Sequence, residues 1–170
     1  MLMSEQKPVS MFEAYKKNKV KPEERIPVHI ADSGKQKAAL DLVAFMRTNK
    51  MNPGCYGINR WKANNKGKGI CFLVIENDSM RVRLDLPRIK DYEDAIIDEG
   101  FQQVVLEHIS YCHKCAGCKP GKNMMIFGRD LKDICITQIL YFHDPDATAV
   151  SYIKRLLELE KQARKTIAVK

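Results

Sequence analysis

The sequence predicts an α+β domain, an antiparallel sheet of about four strands in two hairpins covered by three main helices. Two observations carry this. Strand-type runs come in close pairs separated by turn residues, and helical-period stretches precede, separate and follow the pairs. The resulting order is helix, two strands, helix, two strands, helix. It lacks the regular β-α-β spacing of a parallel sheet and fits an antiparallel one.

Residues 1–34 hold three prolines between Lys7 and Pro27 and no sustained periodicity, so they read as an N-terminal arm, mobile or wrapped on the surface. A short helix over SMFEAYKKN, capped by Ser10, is the exception. Residues 35–170 form a single domain. Its first helix runs from Lys35 to Asn49, with Ala39, Leu40, Val43 and Met46 at helical spacing, and Asn52-Pro53-Gly54 stops it. ICFLVIE (70–76), the turn Asn77-Asp78-Ser79 and the alternating MRVRLDL (80–86) make a hairpin. Alternation turns Met80, Val82, Leu84 and Leu86 to the core and Arg81, Arg83 and Asp85 away from it. A helix is predicted over about 91–111 with Gly100 as a joint. A second hairpin pairs NMMIF (123–127) with ICITQILYF (134–142) across GRDLKD. The last helix has Asp144 as cap, Pro145 in its first turn, and Val150, Ile153, Leu156 and Leu157 on one stripe.

At 170 residues the chain suits one well-buried core. No apolar run approaches the roughly 18 to 20 residues of a membrane helix, and the N-terminus lacks the apolar stretch of a signal peptide, so a cytoplasmic location and no membrane partner are expected. Net charge is +8, and its distribution is uneven: residues 36–90 hold eleven Lys and Arg against four Asp and Glu, whereas residues 91–170 hold eleven against twelve. Such a bias suits an anionic small molecule or nucleic acid, and equally a solvated basic face.

SYCHKCAGCKPG (110–121) places Cys112, Cys115 and Cys118 at two consecutive C-x-x-C spacings. In a reducing compartment such thiols are metal ligands or reactive groups more naturally than disulfides. Zinc takes four tetrahedral ligands, so a fourth is required. Cys135 is the preferred candidate. His108 is the alternative, one turn before Cys112 if the helix runs on through Tyr111. An iron–sulfur cluster is less favoured, because a ferredoxin-type run has a fourth cysteine three residues further on. A redox role is also open, since Lys114, Lys119 and Lys122 would favour thiolates, and so is an unligated loop. Cys55 and Cys71 read as packing residues.

GINRWKANNKGKG (57–69) carries Arg60, Lys62, Lys66 and Lys68 without an acid, around the chain's one tryptophan. Cations, glycines and an indole together can hold a nucleotide or a single strand, and Arg60, Trp61, Lys62, Lys68, Arg81 and Arg83 are the candidate ligand-binding residues. The competing reading is a loop leading into a strand, with Trp61 anchoring the core. No Walker A loop, dinucleotide fingerprint, nucleophile elbow or HExxH occurs, and no catalytic residue is nominated. His143 reads as a helix-boundary residue.

The segments ALDLVAFMRTNKMNP, RWKANNKGKGICFLVIE, CKPGKNMMIFGRDLKDIC and FHDPDATAVSYIKRLLEL, with a W-K, G-K-x-x-C and C-x-P-G…I-F-G pattern, resemble a family of small Firmicute proteins over most of residues 35–160. That family has no established activity, so the resemblance brings no site residues. The residues themselves point to a metal-binding protein, with structural zinc, whose basic face meets an anionic ligand. A zinc-stabilised nucleic-acid-binding protein and a thiol redox enzyme or sensor are the alternatives.

Overall fold

The computed structural model describes residues 13–14, 20–116 and 118–166. Its elements in order are α1 (Pro22–His29), α2 (Ser33–Thr48), β1 (Pro53–Gly57), β2 (Arg60–Asn65), β3 (Lys68–Glu76), β4 (Ser79–Leu84), a 3-10 turn (Ile89–Tyr92), α3 (Glu93–Asp98), α4 (Gln102–Glu107), β5 (Lys122–Ile126), β6 (Arg129–Ile134), β7 (Leu140–His143) and α5 (Ala147–Thr166). Five strands form one antiparallel sheet in the order β1-β2-β3-β4-β7, and β5 and β6 form a separate hairpin. The α+β antiparallel class is as the sequence predicts, with seven strands where about four are expected. No described helix is long and apolar enough to cross a membrane.

One apolar cluster holds the fold together. The inner side of the sheet contributes Trp61, Ala63, Cys71, Leu73, Ile75, Met80, Val82, Leu84 and Phe142, and α2 and α5 lay their stripes on it. Val150, Ile153, Leu156 and Leu157 are all fully buried, and so are Ala39, Val43 and Met46 of α2, while Leu40 turns outward. The β3–β4 hairpin closes with Glu76 opposite Ser79, where the turn chemistry of Asn77-Asp78 places it. Both turn residues have positive φ, which Asn and Asp tolerate better than most residues.

Several expectations change. Within 1–34, Pro22–His29 is a helix that buries Ile26 in the core, and Asp32 rather than a later residue caps α2, its Oδ1 accepting from Lys35 N at 2.7 Å. The helix proposed from Ser10 lies outside the described residues, except for Glu13 and Ala14. The helix expected over 91–111 breaks at Gly100, whose φ of +77° no other residue adopts easily, and it ends at Glu107. Beyond it the chain is extended, with Ile109 bridged to Leu140 and Tyr111 to Ile134. ICITQILYF is not one strand: Ile134 ends β6, and Leu140–His143 departs to join β4 in the main sheet. Asp146, not Asp144, caps α5, accepting from Ala149 N at 2.8 Å. Asp144 instead ties β4 to α2, accepting from Met80 N at 2.7 Å and pairing with Lys35 Nζ at 3.2 Å.

A buried polar clamp fastens α5 to the sheet. Glu160 is fully buried, accepts from Tyr92 Oη at 2.8 Å, and is paired with Arg164 Nε at 2.7 Å. Arg164 also donates to the carbonyls of Gly69 and Asp85, at the ends of two neighbouring strands.

Candidate functional site

Strand alternation separates the basic residues from the core. GINRWKANN is not a loop: Arg60–Asn65 is a strand, and Trp61 points inward, 1% exposed, with Nε1 donating to Val20 O at 2.9 Å. So deeply buried, the Trp61 ring has no free face on which a ligand could stack. Arg60 and Lys62, on either side of it in sequence, emerge on the opposite face because successive side chains of a strand alternate.

On that outer face the register builds two rows across the sheet. Lys62 stands opposite Phe72, Phe72 opposite Arg83, and Arg83 opposite Tyr141. The next row is Arg60, Val74, Arg81 and His143. Cations on β2 and β4 thus alternate with apolar or aromatic side chains on β3 and, in the first row, on β7. Val74 is buried, at 6% exposed, yet it lies apart from the core cluster, as a residue covered by its own row must. Lys62 Nζ rests 5.3 Å from the Phe72 ring centroid, and the Arg83 guanidinium 5.9 Å from that of Tyr141. Gly69 leaves room for this, since a Cβ there would come within 2.6 Å of Lys62 Cε.

Tyr56 of β1 meets Phe72 edge-on at 5.9 Å between centroids and is 61% exposed. Glu76 joins the second row, pairing with Arg81 Nη2 at 2.6 Å and Arg60 Nη2 at 3.6 Å. Tyr56, Arg60, Phe72, Val74, Arg81 and Arg83 line one pocket, and a neighbouring one runs from Glu76 and Arg81 to Tyr141 and His143. His143 closes β7, with Nε2 3.4 Å from Ser79 Oγ. Lys68 belongs to neither row and sits at the tip of the β2–β3 hairpin. Tyr56, Phe72 and Tyr141 are absent from the candidates read from the sequence, although the alternation around Phe72 is a signal that places it opposite the core.

The cysteines are the second set of candidates. All six are free. Tyr111 and Ile134 form a bridge, flanked by hydrogen bonds from Cys112 N to Asp133 O at 2.6 Å and from Cys135 N to Ser110 O at 2.8 Å. In an antiparallel pairing this sets the side chains of Cys112 and Cys135 on the same face, as diagonal neighbours about 7 Å apart. Along the chain between Cys112 and β5, Cys118 N donates to Cys115 O at 3.1 Å, so the second C-x-x-C is closed into a turn. The chain then crosses back over Cys112: a Cβ on Gly121 would lie 2.7 Å from Cys112 Cβ and 2.8 Å from Asp133 C.

Desolvation raises the Cys118 pKa, and the neighbouring Cys115, Cys135 and Cys112 raise it further. For Cys135, burial pushes upward, but hydrogen bonds from Thr137 and Gln138 outweigh it and hold the thiol below its ordinary value. Of the four cysteines nominated from the sequence, the backbone pairing sets Cys112 and Cys135 on one face, and Cys118 feels the charges of Cys115, Cys135 and Cys112. His108 goes elsewhere. Its Nδ1 lies 2.8 Å from Val104 O and its ring stacks on Phe142 at 4.1 Å, so a helix carrying it beside Cys112 does not form. Among the described residues, no three His, Cys, Asp or Glu side chains stand at a spacing that would hold a metal ion. Cys71 is buried in β3, and burial pushes its thiol up to about 12; Cys55 is half-buried in β1.

An α+β antiparallel fold whose outer sheet face carries rows of basic residues is the class these features define. No family model, no curated protein and no solved structure matches the chain.

Proposed function

We propose that the chain is a metal-stabilised binding protein of the reducing cytoplasm, in which four thiols hold a structural zinc ion and the outer sheet face receives an anionic ligand. The observation that supports the metal reading is the backbone pairing of 110–112 with 133–135, which carries Cys135 to the side of Cys112 while the Cys115–Cys118 turn lies along the chain between Cys112 and β5. Four thiolates suit the tetrahedral preference of zinc, and binding would draw Cys115 and Cys118 in toward the paired Cys112 and Cys135. Desolvation is the main cause of the raised Cys118 pKa, and the neighbouring Cys115, Cys135 and Cys112 add to it as negative charges that a divalent cation would relieve. An iron–sulfur cluster could use the same four sulfurs and is the first competitor. A thiol redox role has less support, because the exposed Cys118 is pushed away from the thiolate form and the lowered Cys135 is half-buried.

The test is elemental analysis with native mass spectrometry on protein purified without added metal. One zinc per chain is expected, lost in Cys135→Ser and kept in His108→Ala. Metal-free wild type whose melting curve matches that of Cys115→Ser would overturn the reading. The basic rows carry the second half of the proposal, since their cations and the chain's excess of positive charge favour an anionic partner.

A further inference from the structure

We infer that the partner of the outer sheet face is a single strand of nucleic acid, bound with its bases stacked on Tyr56, Phe72 and Tyr141 and its phosphates on Lys62, Arg83, Arg60 and Arg81. This rests on the anion-binding reading of that face and names the ligand class. A small anion would need cations converging on one point, and the two that do converge, Arg60 and Arg81, already meet on the Glu76 carboxylate. Lys62 and Arg83 instead stand two strands apart, each set beside an aromatic side chain by the register.

Strands lie about 4.8 Å apart, so Lys62 and Arg83, and likewise Phe72 and Tyr141, are separated by about 10 Å across the sheet. Along a strand, Lys62 to Arg60 and Arg83 to Arg81 each advance by two residues, about 7 Å. A two-dimensional array of alternating charge and ring fits a polymer of alternating phosphate and base. It does not fit a lone nucleotide, which could engage only one ring and its neighbours. Duplex DNA is a poor match, because its bases are stacked on each other and leave no face for the rings.

The cation–ring pairs are consistent with this role. Lys62 and Arg83 lie on Phe72 and Tyr141 in the ligand-free protein, so an arriving base takes the ring face while its phosphate takes the displaced cation. Glu76 pairs with Arg60 and Arg81 in the second row, whereas among the described residues Lys62 and Arg83 of the first row form no ion pair, Asp85 acting on Lys62 only through its field. The first row is therefore the primary contact.

The experiment measures binding of the full chain to a fluorescent oligothymidylate 12-mer, an oligouridylate 12-mer, an abasic deoxyribose-phosphate 12-mer and a DNA duplex, at several salt concentrations. Four phosphate contacts on a single strand give a slope of about −3 in log affinity against log salt, and Arg81→Ala with Arg83→Ala halves it. Tyr141→Ala weakens oligothymidylate binding roughly ten- to a hundred-fold and leaves abasic binding unchanged. Tyr56→Ala, at an exposed position on the edge strand, gives a smaller loss in the same direction without threatening the fold. DNA and RNA strands binding alike places recognition in base and phosphate; a preference for one adds a contact to the sugar.

If the abasic strand binds as well as oligothymidylate and neither tyrosine matters, the inference is overturned while the anion-binding reading stands. A duplex that binds more tightly than either strand overturns it too. Failure of all four to bind at millimolar concentration overturns both.

Discussion

Replacing Glu160 with alanine tests how α5 is fastened to the sheet. The carboxylate is fully buried, and the Arg164 side chain paired with it is 9% exposed. Its removal leaves a guanidinium without its counter-charge in the core and strips the Tyr92 hydroxyl and Arg88 N–H of their acceptor. Removing one partner of a buried ion pair costs about 3 to 5 kcal/mol. The two orphaned neutral donors add to this, while the carbonyls of Gly69 and Asp85 continue to hold Arg164 and offset part of it. A net loss of about 4 kcal/mol follows, a large fraction of the roughly 5 to 15 kcal/mol that stabilises a domain. In a chain of this length it lowers Tm by about 8 to 16 °C. Urea titration followed by the fluorescence of Trp61 measures it, with an unchanged denaturant slope identifying a stability effect. The double variant Glu160→Ala, Arg164→Ala should be less unstable than the sum of the singles, because the uncompensated charge is gone. A loss below about 1 kcal/mol, or strict additivity, would refute the clamp as the fastening of α5.

Stability should also fall at both ends of the pH range. Burial raises the Asp144 pKa, but the Met80 N–H and Lys35 ammonium outweigh this and set it below the ordinary carboxylate value. Its contribution is therefore full above about pH 4 and lost as pH falls toward the folded value; Asp144→Ala should flatten that acid limb, read by urea midpoints across pH. Burial first, then the adjacent Glu160 charge, raises Tyr92 well above its ordinary value, so stability is full below about pH 10 and declines as pH climbs beyond it, and Tyr92→Phe should remove that decline. In metal-free protein at pH 8, iodoacetamide should modify Cys115 and Cys118 within the folded state and reach Cys71 only after unfolding, as read by peptide mass spectrometry. Equal labelling rates would show that β3 opens far more readily than its burial implies.

Local pattern was sufficient where neighbours in sequence are also neighbours in space. MRVRLDL alternates, and its apolar residues face the core. The turn at Asn77-Asp78, the α2 helix and the α5 stripe follow from residues a few positions apart, as does the fate of Cys71 inside an apolar run. The rest depends on partners far along the chain. ICITQILYF reads as one continuous β run, but its second half pairs with β4, more than fifty residues earlier. The segment after Glu107 keeps a helical pattern, yet Ile139 and Leu140 of the returning chain offer it bridges and backbone hydrogen bonds that end the helix. Propensity is weak beside such a tertiary gain.

The two candidate sites divide along the same line. Three thiols in seven residues, and an excess of cations between residues 36 and 90, are properties of the sequence by itself, fixed by composition and spacing. That Cys135 shares a face with Cys112 was decided by the pairing of Ser110 and Cys112 with Cys135 and Asp133, because main-chain hydrogen bonds set which side chains lie on one side. That the cations stand in rows with Phe72 and Tyr141 was decided by strand register, since a shift of one residue would exchange the two faces of the sheet.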